Sequence, residues 1–176
     1  YLVFSIDFLI KDADKWRDEC WSMIKKGSDL KFIFLTKRIK RFMECIPNDW
    51  DISYDNAVVG CSIETQDIAN YRLPIFKRLP IKHKNIICQL LIEKISILRY
   101  IDDIELVLVG GESDYNGRVL DFDWVLSLRK ECISKNVKFE FRQCATHFIK
   151  DNKKYTLNNK QLRSQAKKAD IDFGGN

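Results

Sequence analysis

No run of apolar residues approaches the roughly 20 needed to cross a bilayer; the longest are strand-sized stretches such as 106–109. A membrane span is therefore excluded. No charged leader runs into an apolar segment with a small-residue cleavage site, so no secretory signal is expected in these residues. The six cysteines, Cys20, Cys45, Cys61, Cys88, Cys132 and Cys144, contain no C-x-x-C pair and none of the spacings of a zinc site. The expectation is a reduced, cytoplasmic chain with no metal of its own. Neither G-x-G-x-x-G nor a P-loop is present, which leaves nucleotide-phosphate binding by those two routes unsupported. His83 and His147 are isolated, so no Ser-His-Asp or Cys-His pair can be argued from spacing. Residue 1 is Tyr and opens directly on an apolar stretch, from which we expect a fragment or a truncated frame.

What is there suits a folded domain. The chain has 176 residues, 45% hydrophobic and 31% charged, enough for one compact unit with a core. Lys+Arg 30 against Asp+Glu 25 leaves +5. That surplus permits an anionic ligand or nucleic acid but falls short of a dedicated basic binder.

Six β-type runs recur, at residues 2–6, 32–35, 57–63, 85–88, 105–109 and 138–141. Their starts lie about 20 to 33 residues apart, long for hairpins and right for a strand, a crossover helix and a return. Within several of them the apolar residues are consecutive, as in Phe-Ile-Phe-Leu and Leu-Val-Leu-Val, which suits strands buried on both faces of a parallel sheet. Helices are expected at 12–26, 38–44, 66–79 and 121–135. The first should bury Trp16, Cys20, Trp21 and Ile24 and stop at Gly27; the fourth should start at an Asp121 cap and bury Trp124, Val125, Leu128 and Cys132. Residues 151–172, polar and lysine-rich without strong periodicity, read as a mobile or surface-packed tail. The division is thus residues 1–150 as the α/β body and 151–176 as a basic tail.

Parallel α/β folds bind ligands at the carboxyl ends of their strands. Those ends carry Asp7, then Thr36, Lys37 and Arg38, then Ser62 and Glu64, then Gln89, then Glu112 and Ser113, then Arg142 and Gln143. Each has an ordinary explanation as a solvated strand end or helix cap; together they would line one rim. Gly110 and Gly111, directly after the most apolar strand, suit either a tight turn or a close approach of backbone or ligand. Basic stretches at 37–41, 72–84 and 150–168 offer a second possibility, a nucleic-acid surface, though aromatics are not interleaved with them for stacking.

Four segments carry a resemblance: Phe34-Leu35-Thr36-Lys37-Arg38; Asn-Ala-Val-Val-Gly-Cys-Ser-Ile-Glu-Thr at 56–65, leading to Tyr71-Arg72-Leu73-Pro74; Val109-Gly110-Gly111-Glu112-Ser113 with Trp124; and Phe141-Arg142-Gln143. The chain resembles a phage-associated protein family of unknown function (phage gene products thirty-seven and sixty-eight), a radical-SAM-like group. The resemblance implies an α/β fold, a partial TIM-type (β/α) barrel of about six parallel strands. It also implies S-adenosylmethionine and a 4Fe-4S cluster in the intact family, the cluster held by three clustered cysteines after the first strand. Asp7, Thr36, Lys37, Ser62, Glu64, Gly110, Gly111 and Glu112 then become cofactor-binding candidates, with Ser62 and Glu64 facing the ribose or methionyl part.

Two departures accompany the match. Relatives carry Cys-Glu-Pro-Leu-Leu where this chain has Cys88-Gln89-Leu90-Leu91-Ile92, and a glycine where it has Ala145. The three-cysteine loop has no counterpart, and Cys20 falls inside a helix. The expectation is therefore a radical-SAM-like chain of unknown substrate, N-terminally truncated, without its cluster loop and inactive alone. The alternative is a noncatalytic nucleic-acid-associated module with salt-dependent retention.

Overall fold

The computed structural model describes the backbone of residues 2–3, and residues 7–51 and 53–175. In chain order the elements are β1 (Leu2–Val3), α1 (Asp14–Lys26), β2 (Phe32–Thr36), α2 (Phe42–Cys45), β3 (Ala57–Ser62), α3 (Gln66–Arg78), β4 (His83–Gln89), β5 (Leu106–Gly110), β6 (Leu120–Asp121), α4 (Phe122–Ser134), β7 (Lys138–Gln143), β8 (His147–Lys150), β9 (Lys153–Thr156) and α5 (Asn159–Ala169). Short 3-10 turns at Lys11–Ala13 and Ile39–Arg41 precede α1 and α2.

The main sheet has the order β1-β2-β3-β4-β5-β7, and every neighbouring pair is parallel. Each strand pairs with the next one of this sheet in sequence, so the chain winds in one direction without reversing. All six residues of β3 are buried, as are the five inner residues of β4, which is why these stretches are apolar without alternating. The register pairs Thr36 with Cys61, Ser62 with Ile87 and Gln89 with Gly110. The carboxyl ends of four adjacent strands are thereby brought level. The fold is mixed α/β with a parallel sheet flanked by helices, as the spacing of the apolar runs implied. Residues 4–6 of the first expected strand lie outside the described residues.

Helix α1 corrects one detail. Its buried stripe is Arg17, Trp21 and Ile24, while Trp16 is 54% exposed with the Lys15 ammonium 4.0 Å from its ring centre. Arg17 takes the inward place, its guanidinium donating to the carbonyls of Phe8 at 3.1 Å and Ile10 at 2.9 Å. Trp21 and Trp50 anchor an aromatic cluster with Phe8, Phe34 and Tyr54. Each indole N–H is satisfied, Trp21 by the Cys45 carbonyl and Trp50 by that of Pro80, both at 2.7 Å. The expected helix at 38–44 is a 3-10 turn followed by the single turn α2. Helix α4 begins where expected, with the Asp121 carboxylate accepting from the Asp123 N–H at 2.9 Å.

The region read as a tail contains strand β9 and helix α5. Strands β6, β8 and β9 form a second sheet, with β8 and β9 an antiparallel hairpin. Its two loop residues, Asp151 and Asn152, have φ of 52° and 60°, the left-handed pair a tight hairpin requires and that Asp and Asn tolerate. Helix α5 opens on a reciprocal cap between Asn158 and Gln161 and buries Leu162 and Ala166. It packs along β7, where the Cys144 N–H donates to the Leu162 carbonyl at 3.0 Å. Beyond it, Phe173 exchanges both backbone hydrogen bonds with Phe139. Among the described residues no helix is long and apolar enough to cross a membrane.

Candidate functional site

The carboxyl ends of the parallel strands carry two linked clusters of charge. In the first, Asp7 is the acceptor. Its Oδ1 receives the Thr36 hydroxyl at 2.8 Å and the Leu9 N–H at 3.0 Å; its Oδ2 receives the Lys37 N–H at 3.0 Å and the Arg38 guanidinium at 2.7 Å. Thr36 is fully buried and in turn accepts from the Arg38 N–H at 2.8 Å. Burial pushes the Asp7 carboxyl up, but the donors Lys37, Thr36, Arg38 and Leu9 outweigh it and hold the group below the ordinary Asp value. Asp7 is an anion locked in place by the β2–α2 connection.

Glu64 centres the second cluster. One oxygen meets Lys37 Nζ at 2.5 Å, and the other accepts from Arg72 Nη1 at 3.1 Å. The same Nη1 donates to the Ser62 carbonyl at 2.6 Å, so Arg72 clips α3 onto the end of β3. Lys37 thus joins the two clusters, its N–H on Asp7 and its ammonium on Glu64. Two buried atoms in the second cluster make no hydrogen bond: Glu64 Oε1, which Lys37 approaches only as an ion pair, and Arg72 Nε.

At the other end of the rim, Glu112 is held by Arg118 through its N–H at 2.9 Å and its guanidinium at 2.8 Å. These contacts hold the Glu112 carboxyl below the usual Glu value. Gly110 lies against the Gln89 side chain, and Gln143 Nε2 donates to the Gly111 carbonyl at 2.8 Å. A Cβ on Gly111 would stand 2.5 Å from the Ala145 nitrogen. Neither residue has positive φ, and what requires glycine at 111 is the close approach of the Ala145 backbone.

Asp7, Thr36, Lys37 and Glu64 are therefore in one connected network, with Ser62 attached through its carbonyl. Gly110, Gly111 and Glu112 stand two strands away, and Glu112 is bonded to its own loop. Gln89 packs on Gly110 without joining a carboxylate, and Arg142 is exposed. Arg72 and Arg118 were not among the candidate residues. Arg72 had a readable signal: it lies two helical turns past the capping Thr65, on the face that returns to Glu64. Arg118 had none beyond following Gly117.

The basic stretches at 37–41 and 72–84 are largely neutralised within the fold, whereas no Lys or Arg of 150–168 is in an ion pair among the described residues. Arg41 pairs with Asp14, Lys77 with Asp102 and Lys82 with Asp55. The Lys84 ammonium is buried against the Lys77 carbonyl, and desolvation lowers its pKa.

The cysteines do not form a ligand set. All six are free; five are buried and only Cys20 is partly exposed. Burial raises the thiols of Cys61, Cys132 and Cys144 to about 12 and moves Cys88 well up, the opposite of what metal-binding thiolates need. Among the described residues no three His, Cys, Asp or Glu side chains are grouped to hold a metal ion.

Fold and rim together define a parallel α/β protein with charged side chains gathered at its strand ends. Within that class, the chain belongs to the family described as Protein of unknown function (DUF5131), whose model matches residues 4–173. No curated protein and no solved structure matches it.

Proposed function

We propose that this chain is a phage or bacterial radical-SAM-like protein. In this reading its sheet is the greater part of a (β/α) barrel, and the rim from Asp7 to Glu112 binds S-adenosylmethionine. Two features support the barrel: consecutive strands pair in sequence, and all are parallel. The observation that carries the site is the buried Arg72 Nε, which makes no hydrogen bond, beside a Glu64 carboxylate that Lys37 reaches at 2.5 Å. Buried polar atoms without partners are costly and mark where a ligand supplies the missing bonds.

The donor set suits the zwitterionic cofactor. Lys37 and Arg38 would face its carboxylate, Glu64 would accept from a ribose hydroxyl or the ammonium, and Ser62 lies beside them. A 4Fe-4S cluster does not fit the residues present, since no cysteines are grouped and five are buried. In this reading the chain by itself does not carry out the cluster-dependent chemistry of the intact family. The alternative, a nucleic-acid-associated module, would draw on basic stretches of which 37–41 and 72–84 are mostly engaged in ion pairs, leaving 150–168 as its available surface.

Equilibrium dialysis with labelled S-adenosylmethionine should give one saturable site. Glu64→Gln, with unfolding monitored in parallel, should weaken it about tenfold or more through loss of a charged hydrogen bond. Anaerobic reconstitution with iron and sulfide should leave the chain without a stoichiometric cluster. Absence of saturable binding removes the proposed site, and a full cluster overturns the account of the cysteines.

A further inference from the structure

A cavity of about 530 Å³ lies between the β8–β9 hairpin and α5, lined by none of the rim residues named above. Its size falls within the range of about 300–1,000 Å³ typical of small-molecule sites. Phe122 and Phe148 contribute rings 5.8 Å apart at a steep angle, and Cys144 and Leu157 extend the apolar lining. Lys150 and Lys168 are the charged residues of the lining.

The charge pattern is one-sided. No Asp or Glu lines the cavity, and neither lysine is in an ion pair among the described residues. This contrasts with the rim, where Lys37, Arg38 and Arg72 all have carboxylate partners. Lys150 Nζ is 5.1 Å from the centre of the Phe122 ring, so a positive charge stands directly beside the apolar lining. A cation at the edge of a low-dielectric hollow attracts an anion more strongly than one in open solvent.

We infer that this cavity is a second ligand site, for an organic anion with a flat apolar body. The aromatic and aliphatic walls would take the body, and Lys150 and Lys168 its carboxylate, sulfonate or phosphate. The inference stands on residues separate from the rim and does not depend on the reading of that site.

The probe is 1-anilinonaphthalene-8-sulfonate, titrated by fluorescence into the whole chain, beside the uncharged N-phenyl-1-naphthylamine. One saturable sulfonate site per chain is expected. The pair Lys150→Glu and Lys168→Glu, both on exposed residues, should weaken sulfonate binding about tenfold or more while leaving the neutral dye within about twofold. Thr156→Trp, on an exposed strand at the cavity wall, should fill the space and reduce both. In the unaltered chain, added salt should weaken the sulfonate and not the neutral dye. Absence of a saturable one-per-chain site, or equal sulfonate affinity after charge reversal with salt without effect, overturns the inference.

Discussion

Gly111→Ala is expected to destabilise the chain by about 1–3 kcal/mol, the usual cost of forcing extra volume into packed structure. The added methyl would meet the Ala145 nitrogen at 2.5 Å, its Cβ at 2.6 Å and its Cα at 2.7 Å. Two of these are backbone atoms, pinned because the neighbouring Cys144 N–H is bonded to Leu162 and the Thr146 N–H to the Glu112 carbonyl. Neither side can withdraw without breaking a hydrogen bond. Gly60→Ala is the comparison: its nearest neighbours are side-chain and not backbone atoms, the Leu35 Cδ2 methyl at 2.5 Å, which can rotate away, and Ile87 Cγ1 at 2.9 Å. For a domain of this size the Gly111 variant should melt roughly 2–12 °C lower. Thermal unfolding followed by circular dichroism checks it. Equal melting of Gly111→Ala and the parent, or a larger loss in Gly60→Ala, would contradict the close approach at the rim.

Asp7→Asn should cost a further large amount, about 1–3 kcal/mol at neutral pH. An amide can still accept from Thr36 and Leu9 through its oxygen, but its NH2 then faces the Lys37 N–H and the Arg38 guanidinium, a donor set against donors. The pH dependence follows from the lowered carboxyl pKa. Because the folded value lies below the ordinary 3.8, the anion's contribution is fully present above that pH and is lost as pH falls through the folded value. The stability gap between parent and variant should therefore be level from pH 7 to 5 and shrink below about pH 4. Urea unfolding at pH 7, 5 and 3 measures it. A gap unchanged at pH 3 would mean that the interaction does not depend on the charge of Asp7.

The main sheet was legible because its signal is simple. Strands such as β3 and β5 are buried on both faces, and their unbroken apolar runs could not belong to a solvent-facing hairpin. The rim candidates were legible for the same reason, since a strand end can be read from where the apolar run stops. What those side chains touch was not. Arg72 reaches Ser62 and Glu64 only because α3 returns across the end of β3, an orientation no local pattern encodes. The second sheet was missed because β6 has two residues and β9 is exposed throughout, leaving no alternation to detect. Helix α5 buries just Leu162 and Ala166, and the Asn158–Gln161 cap was the one cue to it. Trp16 was assigned to the core by its helical spacing with Cys20 and Ile24, but Arg17 takes the inward position and donates to the Phe8 and Ile10 carbonyls.

The six free thiols have a practical consequence. Cys45, Cys61, Cys88, Cys132 and Cys144 are distributed over α2, β3, β4, α4 and the segment after β7, each shielded by its own set of neighbours, while Cys20 is reachable from outside. A thiol-selective label therefore finds one ready target on the intact molecule and five gated ones. The order in which the gated five acquire mass would chart which parts of the architecture loosen first.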